Sequence, residues 1–204
     1  MGFKESVLNV LRGSVASNIR FTFVAPSGMI VNVNGSSFQR VAMAIDSGRI
    51  EIDGDLSHLS SPLAGAEYSA TNNYNHNWQR WFNYPSSVGR MVISPNLNHR
   101  TQGFLIHESL HASFDLTYSN FPKFEEEAAA YIAGALYYKA IGVHLSGASS
   151  NLFVIAARIA DSISSTSSNV MPVIATAEID TLARAVEASP TYSGYGHGSY
   201  SHDG

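Results

Sequence analysis

The spacing of apolar residues changes character near residue 95 of this chain. Before that point, residues 19–33 alternate apolar and polar positions around a Pro-Ser-Gly turn, which predicts a β-hairpin. Residues 41–45 and 49–52 predict a second pair of strands, and residues 90–94 predict one more short strand. Helical spacing is typical of the N-terminal segment up to Arg12 and of four later segments, namely 101–116, 123–141, 151–166 and 172–188.

These elements predict an α+β fold, in which a small antiparallel sheet from the N-terminal half packs on a helical C-terminal half. We expect a single domain over residues 1–191. Residues 192–204 are low-complexity Gly, Ser, Tyr and His, which predicts a flexible tail. The aromatic-rich stretch 72–85 lies in a predicted loop and is a candidate wall of a binding cleft.

Charge is scarce in this sequence and excludes some classes of protein. Only 14% of the 204 residues are charged and the net charge is −4, whereas a typical soluble domain has about 25% charged residues. A nucleic-acid-binding surface needs a basic stripe, so we expect no nucleic-acid partner. Cysteine is absent, which excludes disulfides, thiolate zinc sites and cysteine nucleophiles.

The N-terminal residues mix acidic and basic side chains among apolar ones at helical intervals, unlike a cleavable secretory signal. No stretch approaches the roughly 20 apolar residues that a membrane helix needs. We therefore expect a chain without a membrane span or a cleavable signal, located in the cytoplasm or exported by a signal-independent route.

The candidate chemistry lies in residues 107–111, which read His-Glu-Ser-Leu-His. Because residues four apart share one face of a helix, His107 and His111 can hold one metal ion between their imidazoles. Glu108 lies about 100° further round the helix, close to the free coordination position of the ion. A general base that takes a proton from the attacking water belongs there, so the motif predicts a hydrolytic zinc site.

Three consecutive glutamates, residues 125–127, begin the next predicted helix. If the two helices form an antiparallel hairpin with its turn near Ser119, Glu127 lies level with His111 and is the preferred third ligand. Glu126 is predicted to point to the opposite side and is the second choice. Favourable charge at a helix N-terminus explains the remaining glutamates. Small residues would let the two backbones approach closely: Ala128, Ala129, Ala130, Ala133 and Gly134.

The sequence HESLH, followed on a second helix by a glutamate with alanine three positions later, resembles the gluzincin branch of zinc metallopeptidases. The resemblance covers about residues 101–135 and implies a zincin-like fold. It also implies a zinc ion held by His107, His111 and a glutamate of the second helix, with Glu108 as general base.

Other residues have less definite predicted roles. Asp115 matches an aspartate of thermolysin-like sequences, and either supports a ligand from behind or is a polar residue at the helix end. Tyr131 replaces the acidic residue that such enzymes often carry four positions after the ligand glutamate. An additional donor should stabilise the oxyanion. The candidates for this donor are Tyr131, Tyr118, Arg100 and His144, and we choose Tyr131.

The sequence thus predicts a zinc peptidase that hydrolyses bonds in a peptide or protein substrate, with Glu108 and Tyr131 as catalytic residues. The alternative is a non-catalytic zinc-binding module or an interaction protein, for which Glu108 has no evident use. The small size and isolated motif also suit an effector or toxin domain that is delivered by a secretion machine. The sequence leaves the oligomeric state open.

Overall fold

A computed structural model describes residues 2–59, 66–69, 89–119, 121–148, 150–164 and 170–192. The aromatic-rich stretch 72–85 lies outside the described residues, as does the predicted tail beyond Tyr192. The described chain is a mixed α/β structure with two small sheets. No helix in these ranges is both long enough and apolar enough to cross a membrane.

Helices form most of the structure, and their positions agree largely with the predicted segments. The last predicted helix, over 172–188, begins later than expected because its first residues form a short strand. Leu56–His58 form a 3-10 turn. The α-helices of the described residues are α1 (Phe3–Arg12), α2 (Ser14–Asn18), α3 (Gly35–Asp46), α4 (His99–Asp115), α5 (Lys123–Ala140), α6 (Leu152–Ser164) and α7 (Thr176–Glu187).

The strands are β1 (Phe21–Val24), β2 (Ile30–Val33), β3 (Ile50–Asp53), β4 (Ala66–Ser69), β5 (Gly89–Ile93) and β6 (Val173–Ile174). They form two three-stranded sheets, ordered β2-β1-β6 and β3-β5-β4. The hairpin of β1 and β2 is confirmed, but β1 pairs parallel to β6 and β3 pairs parallel to β5. The prediction of one antiparallel sheet is therefore right only in part, since each of the two sheets joins an antiparallel pair, β1–β2 or β4–β5, to a parallel one. The parallel neighbours come from distant segments that local spacing does not relate.

The strand predicted at 41–45 is also wrong, since these residues belong to α3. The side chain of Asn34 accepts a hydrogen bond from the backbone N–H of Ser36 and caps the start of this helix. A short apolar run fits a buried strand or a buried helix equally well. Helical periodicity becomes visible only when the earlier Phe38 is included with the other buried apolar residues of α3: Val41, Ala42, Ala44 and Ile45.

Helices α4 and α5 form an antiparallel pair that α3 and β4 flank on the α4 side, and α6 and α7 on the α5 side. The predicted close approach of their backbones is confirmed. A Cβ at Gly134 would lie 3.1 Å from the carbonyl oxygen of Gly103 and 2.8 Å from the ring of Phe153. Larger side chains at this crossing would separate the two helices, so the small residues determine how closely their polar side chains can meet.

Candidate metal centre

Helix α4 holds the two histidines of the motif on its buried face. Asn98 caps the helix by accepting a hydrogen bond from the N–H of Thr101, and the apolar neighbours Leu105, Ile106 and Leu110 are fully buried. His107 and His111 lie one turn apart, and their Nε2 atoms are 3.3 Å from each other. The two imidazoles therefore present nitrogen atoms toward the same point.

Glu127 of α5 completes a compact group with these histidines. Its Oε2 atom lies 3.3 Å from His107 Nε2 and 3.4 Å from His111 Nε2. All three residues are buried, and in the described ranges they are the one group of three or more His, Asp or Glu side chains close enough together to hold a metal ion. We call His107, His111 and Glu127 the candidate triad.

The dimensions of the candidate triad suit a tetrahedral ion. Ligand atoms about 2.0–2.1 Å from a tetrahedral zinc ion lie about 3.3–3.4 Å from one another. The three measured separations, 3.3, 3.3 and 3.4 Å, have this size. Two imidazole nitrogens and one carboxylate oxygen also form a donor set that zinc commonly uses. The residues present thus fit the zinc ion that the sequence motif implies.

Charge interactions within the group keep the Glu127 carboxylate ionised. Burial alone would raise the pKa of Glu127, but the imidazoles of His111 and His107 hold it well below its usual value. Burial alone would lower the pKa of His111, but the carboxylates of Glu127 and Glu126 hold it well above its usual value. The carboxylate is therefore available as a ligand, whereas His111 must release its proton before it can bind a metal.

Glu126 has a separate role behind the candidate triad. Its Oε1 lies 2.6 Å from Nδ1 of His111, so the prediction that this side chain points to the opposite side is wrong. The two helices pack so closely that neighbouring glutamates reach opposite nitrogens of the same ring. A carboxylate that accepts the Nδ1 proton leaves Nε2 with its lone pair directed at the candidate triad, which is the arrangement that supports a metal-binding histidine.

Glu125, the first of the three glutamates, contacts a different part of the fold. Its carboxylate accepts hydrogen bonds from the N–H of Ser27 at 2.8 Å and from the hydroxyl of Ser27 at 2.6 Å. It thereby ties the turn of the β1–β2 hairpin to the start of α5. Favourable charge at a helix N-terminus, the role expected for Glu125, does not predict this contact with Ser27. No local signal in the sequence relates Glu125 to Ser27.

Glu108 lies beside the candidate triad without belonging to it. Its Oε1 is 4.0 Å from His107 Nε2, and its Oε2 accepts a hydrogen bond of 2.9 Å from the backbone N–H of Tyr68 in β4. Burial raises the pKa of Glu108 above its usual value. One oxygen is thus anchored by the sheet while the other faces the histidines.

Tyr68 connects Glu108 to Asp115 and was not found by sequence reasoning. Its hydroxyl donates a hydrogen bond of 2.7 Å to Asp115 Oδ2, and its backbone N–H binds Glu108. Asp115 thus holds the residue that anchors Glu108, and both predicted roles for Asp115 stay predictions.

Tyr131 lies at the site, and Tyr192 reaches it unexpectedly. The ring of Tyr131 packs edge-on against His107 with centroids 4.5 Å apart, and its hydroxyl lies 3.1 Å from the hydroxyl of Tyr192. The Tyr192 hydroxyl donates a hydrogen bond of 2.8 Å to Glu127 Oε2. Sequence reasoning missed Tyr192 because it begins the low-complexity stretch.

The other predicted oxyanion donors lie away from the candidate triad. Tyr118 follows the end of α4 and is 73% exposed. Arg100 lies in the first turn of α4, seven residues before His107 or about 10 Å along the axis. His144 follows α5, whose last residue, Ala140, lies about 20 Å along the helix axis from Glu127. The fold brings none of these three to the histidines.

Comparisons of this chain with protein families, with curated proteins and with solved structures find no match. The resemblance to gluzincins therefore rests on the residues of the site. What the structure establishes is a buried group of two histidines and one glutamate that is close enough to bind a metal ion.

Proposed function

We propose that this protein is a zinc-dependent peptidase of gluzincin type that hydrolyses bonds in a peptide or protein substrate. One observation carries the proposal: the near-equilateral candidate triad lies beside a buried carboxylate, Glu108, that is not one of its members. A purely structural zinc site needs its ligands but has no use for such a neighbour.

A bound zinc ion would make a water molecule more acidic and would polarise the carbonyl of the scissile bond. Glu108 supplies the proton transfer. Its Oε1, which faces the histidines, accepts a proton from the attacking water and then donates that proton to the leaving amine nitrogen, so the carboxylate returns to its starting form. The pKa of Glu108 is raised by burial, which makes the carboxylate a stronger base than an exposed glutamate.

The surroundings of Glu108 support this role. The N–H of Tyr68 holds Oε2, so the carboxylate cannot rotate freely, and Asp115 in turn holds the Tyr68 ring.

Tyr131 is the proposed donor to the oxyanion, because its ring packs against His107 and its hydroxyl lies on the side of Glu127. In the present arrangement that hydroxyl contacts Tyr192, so it must turn toward the substrate to act.

The test is metal analysis and peptidase assay of the purified protein beside Glu108→Gln and His111→Ala. Wild type and Glu108→Gln should each contain one zinc ion per chain, and His111→Ala should lose it. Cleavage of an unstructured protein should disappear in both variants. His58→Ala is the matched control, since His58 also contacts carboxylates, those of Asp53 and Asp55, but lies outside the candidate triad, and it should keep both zinc and activity.

The outcomes separate the proposal from its alternatives. Zinc that is retained in wild type without cleavage of any unstructured substrate would favour a non-catalytic zinc-binding module. A wild-type protein that binds no zinc would refute the metallopeptidase and would favour an interaction protein.

A further inference from the structure

Tyr192 is held at the site by a turn that follows α7. The backbone N–H of Tyr192 donates to the carbonyl oxygen of Ser189 at 2.9 Å, and its side chain packs against the hydrophobic core. Helix α7 packs on α5, the helix that carries Glu127. The packing of these two helices therefore places the C-terminal turn Ser189–Tyr192 beside the candidate triad.

The hydroxyl of Tyr192 binds the same oxygen atom that faces both histidines. Glu127 Oε2 accepts the Tyr192 hydrogen bond of 2.8 Å and also forms the corner of the candidate triad. A carboxylate oxygen has two lone pairs, so one can accept the phenol while the other is directed at an ion. The phenol therefore restrains the rotation of the carboxylate without removing its capacity as a ligand.

Tyr131 extends this contact into a chain of hydrogen bonds. Because the carboxylate only accepts, Tyr192 donates its single hydroxyl proton to Glu127, and Tyr131 then donates to the oxygen of Tyr192. Each bond in such a chain polarises the next and strengthens it. Two phenols from different segments thereby hold one oxygen of Glu127 in place.

We propose that Tyr192 is a positioning residue of the metal centre, so that the C-terminal turn Ser189–Tyr192 completes the site. This inference rests on the zinc site proposed above. Groups that orient a metal ligand typically contribute about 10–100-fold to metal affinity. Removal of the Tyr192 hydroxyl should therefore weaken zinc binding by about that factor. By thermodynamic reciprocity, zinc binding should stabilise the docked turn by the same factor.

The experiment measures zinc affinity of the full chain by competition with a chromophoric chelator in wild type, Tyr192→Phe and Tyr137→Phe. Tyr192→Phe keeps the ring and removes only the hydroxyl. Tyr137→Phe is the matched control, because the Tyr137 hydroxyl likewise donates a hydrogen bond to a side chain, Gln102 Oε1 at 3.0 Å, but away from the candidate triad. We expect weaker binding by about 10–100-fold in Tyr192→Phe and less than about twofold in Tyr137→Phe.

Amide hydrogen exchange of the turn provides a readout that simple packing would not change. Zinc should slow exchange of the Tyr192 amide in wild type and in Tyr137→Phe but not in Tyr192→Phe. Equal zinc affinity in wild type and Tyr192→Phe, with equal protection of the turn, would overturn the role of Tyr192 and leave the zinc site intact. A wild type without measurable zinc affinity would overturn both proposals together.

Discussion

Two groups of histidine and carboxylate side chains in the described part of the molecule differ in the source of their positive charge. In the partly buried group that we call the surface cluster (Asp53, His58 and Arg90), His58 Nδ1 lies 2.7 Å from Asp53 Oδ2 and 2.7 Å from an Nη atom of Arg90. Arg90 also bonds the same carboxylate. In the candidate triad, the carboxylate of Glu127 faces two imidazole nitrogens instead.

The comparison shows how similar residue types become suited to different tasks. A guanidinium is permanently charged and only donates, so Arg90 supplies the surface cluster with a cation that belongs to the chain. An imidazole Nε2 can carry a lone pair, and two of them beside a carboxylate can bind an external cation. The buried group is a candidate metal site because its two Nε2 atoms and its carboxylate oxygen face a common point. This arrangement decides the matter more than the residue types do.

Replacement of Glu127 by alanine should have the largest effect. It removes one of three protein ligands, so we expect zinc affinity to fall by about a thousandfold or more, about 4 kcal/mol. Asp53→Ala is the matched control, because it removes a carboxylate that also faces a histidine but should leave zinc content unchanged. Metal analysis after dialysis checks both, and zinc loss in both variants would contradict the distinction between the two groups.

Removal of the metal should destabilise the protein. A ligand at about 100 times its dissociation constant stabilises the folded state by about 2.7 kcal/mol, which corresponds to about 5–10 °C for a chain of this size. Calorimetry with and without a chelator measures the shift. Glu127→Ala should be insensitive to the chelator, and a wild type that also showed no shift would count against a resident metal.

The variants Glu126→Gln and Glu125→Gln test whether these two neighbouring glutamates have different roles, since their side chains have different partners. Glu126→Gln weakens the support of His111 Nδ1 and should lower zinc affinity by about 10–100-fold. Glu125→Gln weakens the link to Ser27 and should cost about 1 kcal/mol of unfolding free energy without changing zinc affinity. Chelator competition and denaturant unfolding measure the two quantities. The opposite assignment of effects would disprove the division of roles.

The smallest expected effect is a change in the acid dependence of stability when Asp53 of the surface cluster is replaced. Burial alone would raise the pKa of Asp53, but the Asp55 backbone N–H, His58 and Arg90 lower it below its usual value. A carboxyl group whose pKa is lowered by folding contributes stability above its unfolded pKa of about 3.9 and loses it as pH falls through the folded pKa. Unfolding of wild type and Asp53→Asn between about pH 2 and 5 should show a shallower acid dependence in the variant, and equal slopes would contradict this.

The parts that could be predicted from sequence are those that one helix or one short connection determines. His107 and His111 face the same point because helix geometry places residues four apart on one face. Glu127 was placed beside them because the connection between α4 and α5 is short and the residues after it are small. Their proximity is confirmed, while their roles as zinc ligands stay predictions.

The errors and omissions share a different physical origin. Residues 41–45 are too few to distinguish a strand from a helix, and the parallel partners of β1 and β3 come from distant parts of the chain. The contacts of three glutamates, Glu108, Glu127 and Glu125, join residues that are far apart in sequence. The Tyr68–Glu108, Tyr192–Glu127 and Ser27–Glu125 pairs are separated by 40, 65 and 98 residues.

The sequence by itself determined the histidine pair and the neighbouring Glu108, because the spacing of residues along a helix is a local property of the backbone. It left Glu126 and Glu127 open as the third ligand. Only the tertiary structure decided that Glu127 meets both Nε2 atoms while Glu126 holds His111 from behind. Such contacts depend on how closely helices approach and which distant strand or turn covers them, and these follow from packing of the whole chain.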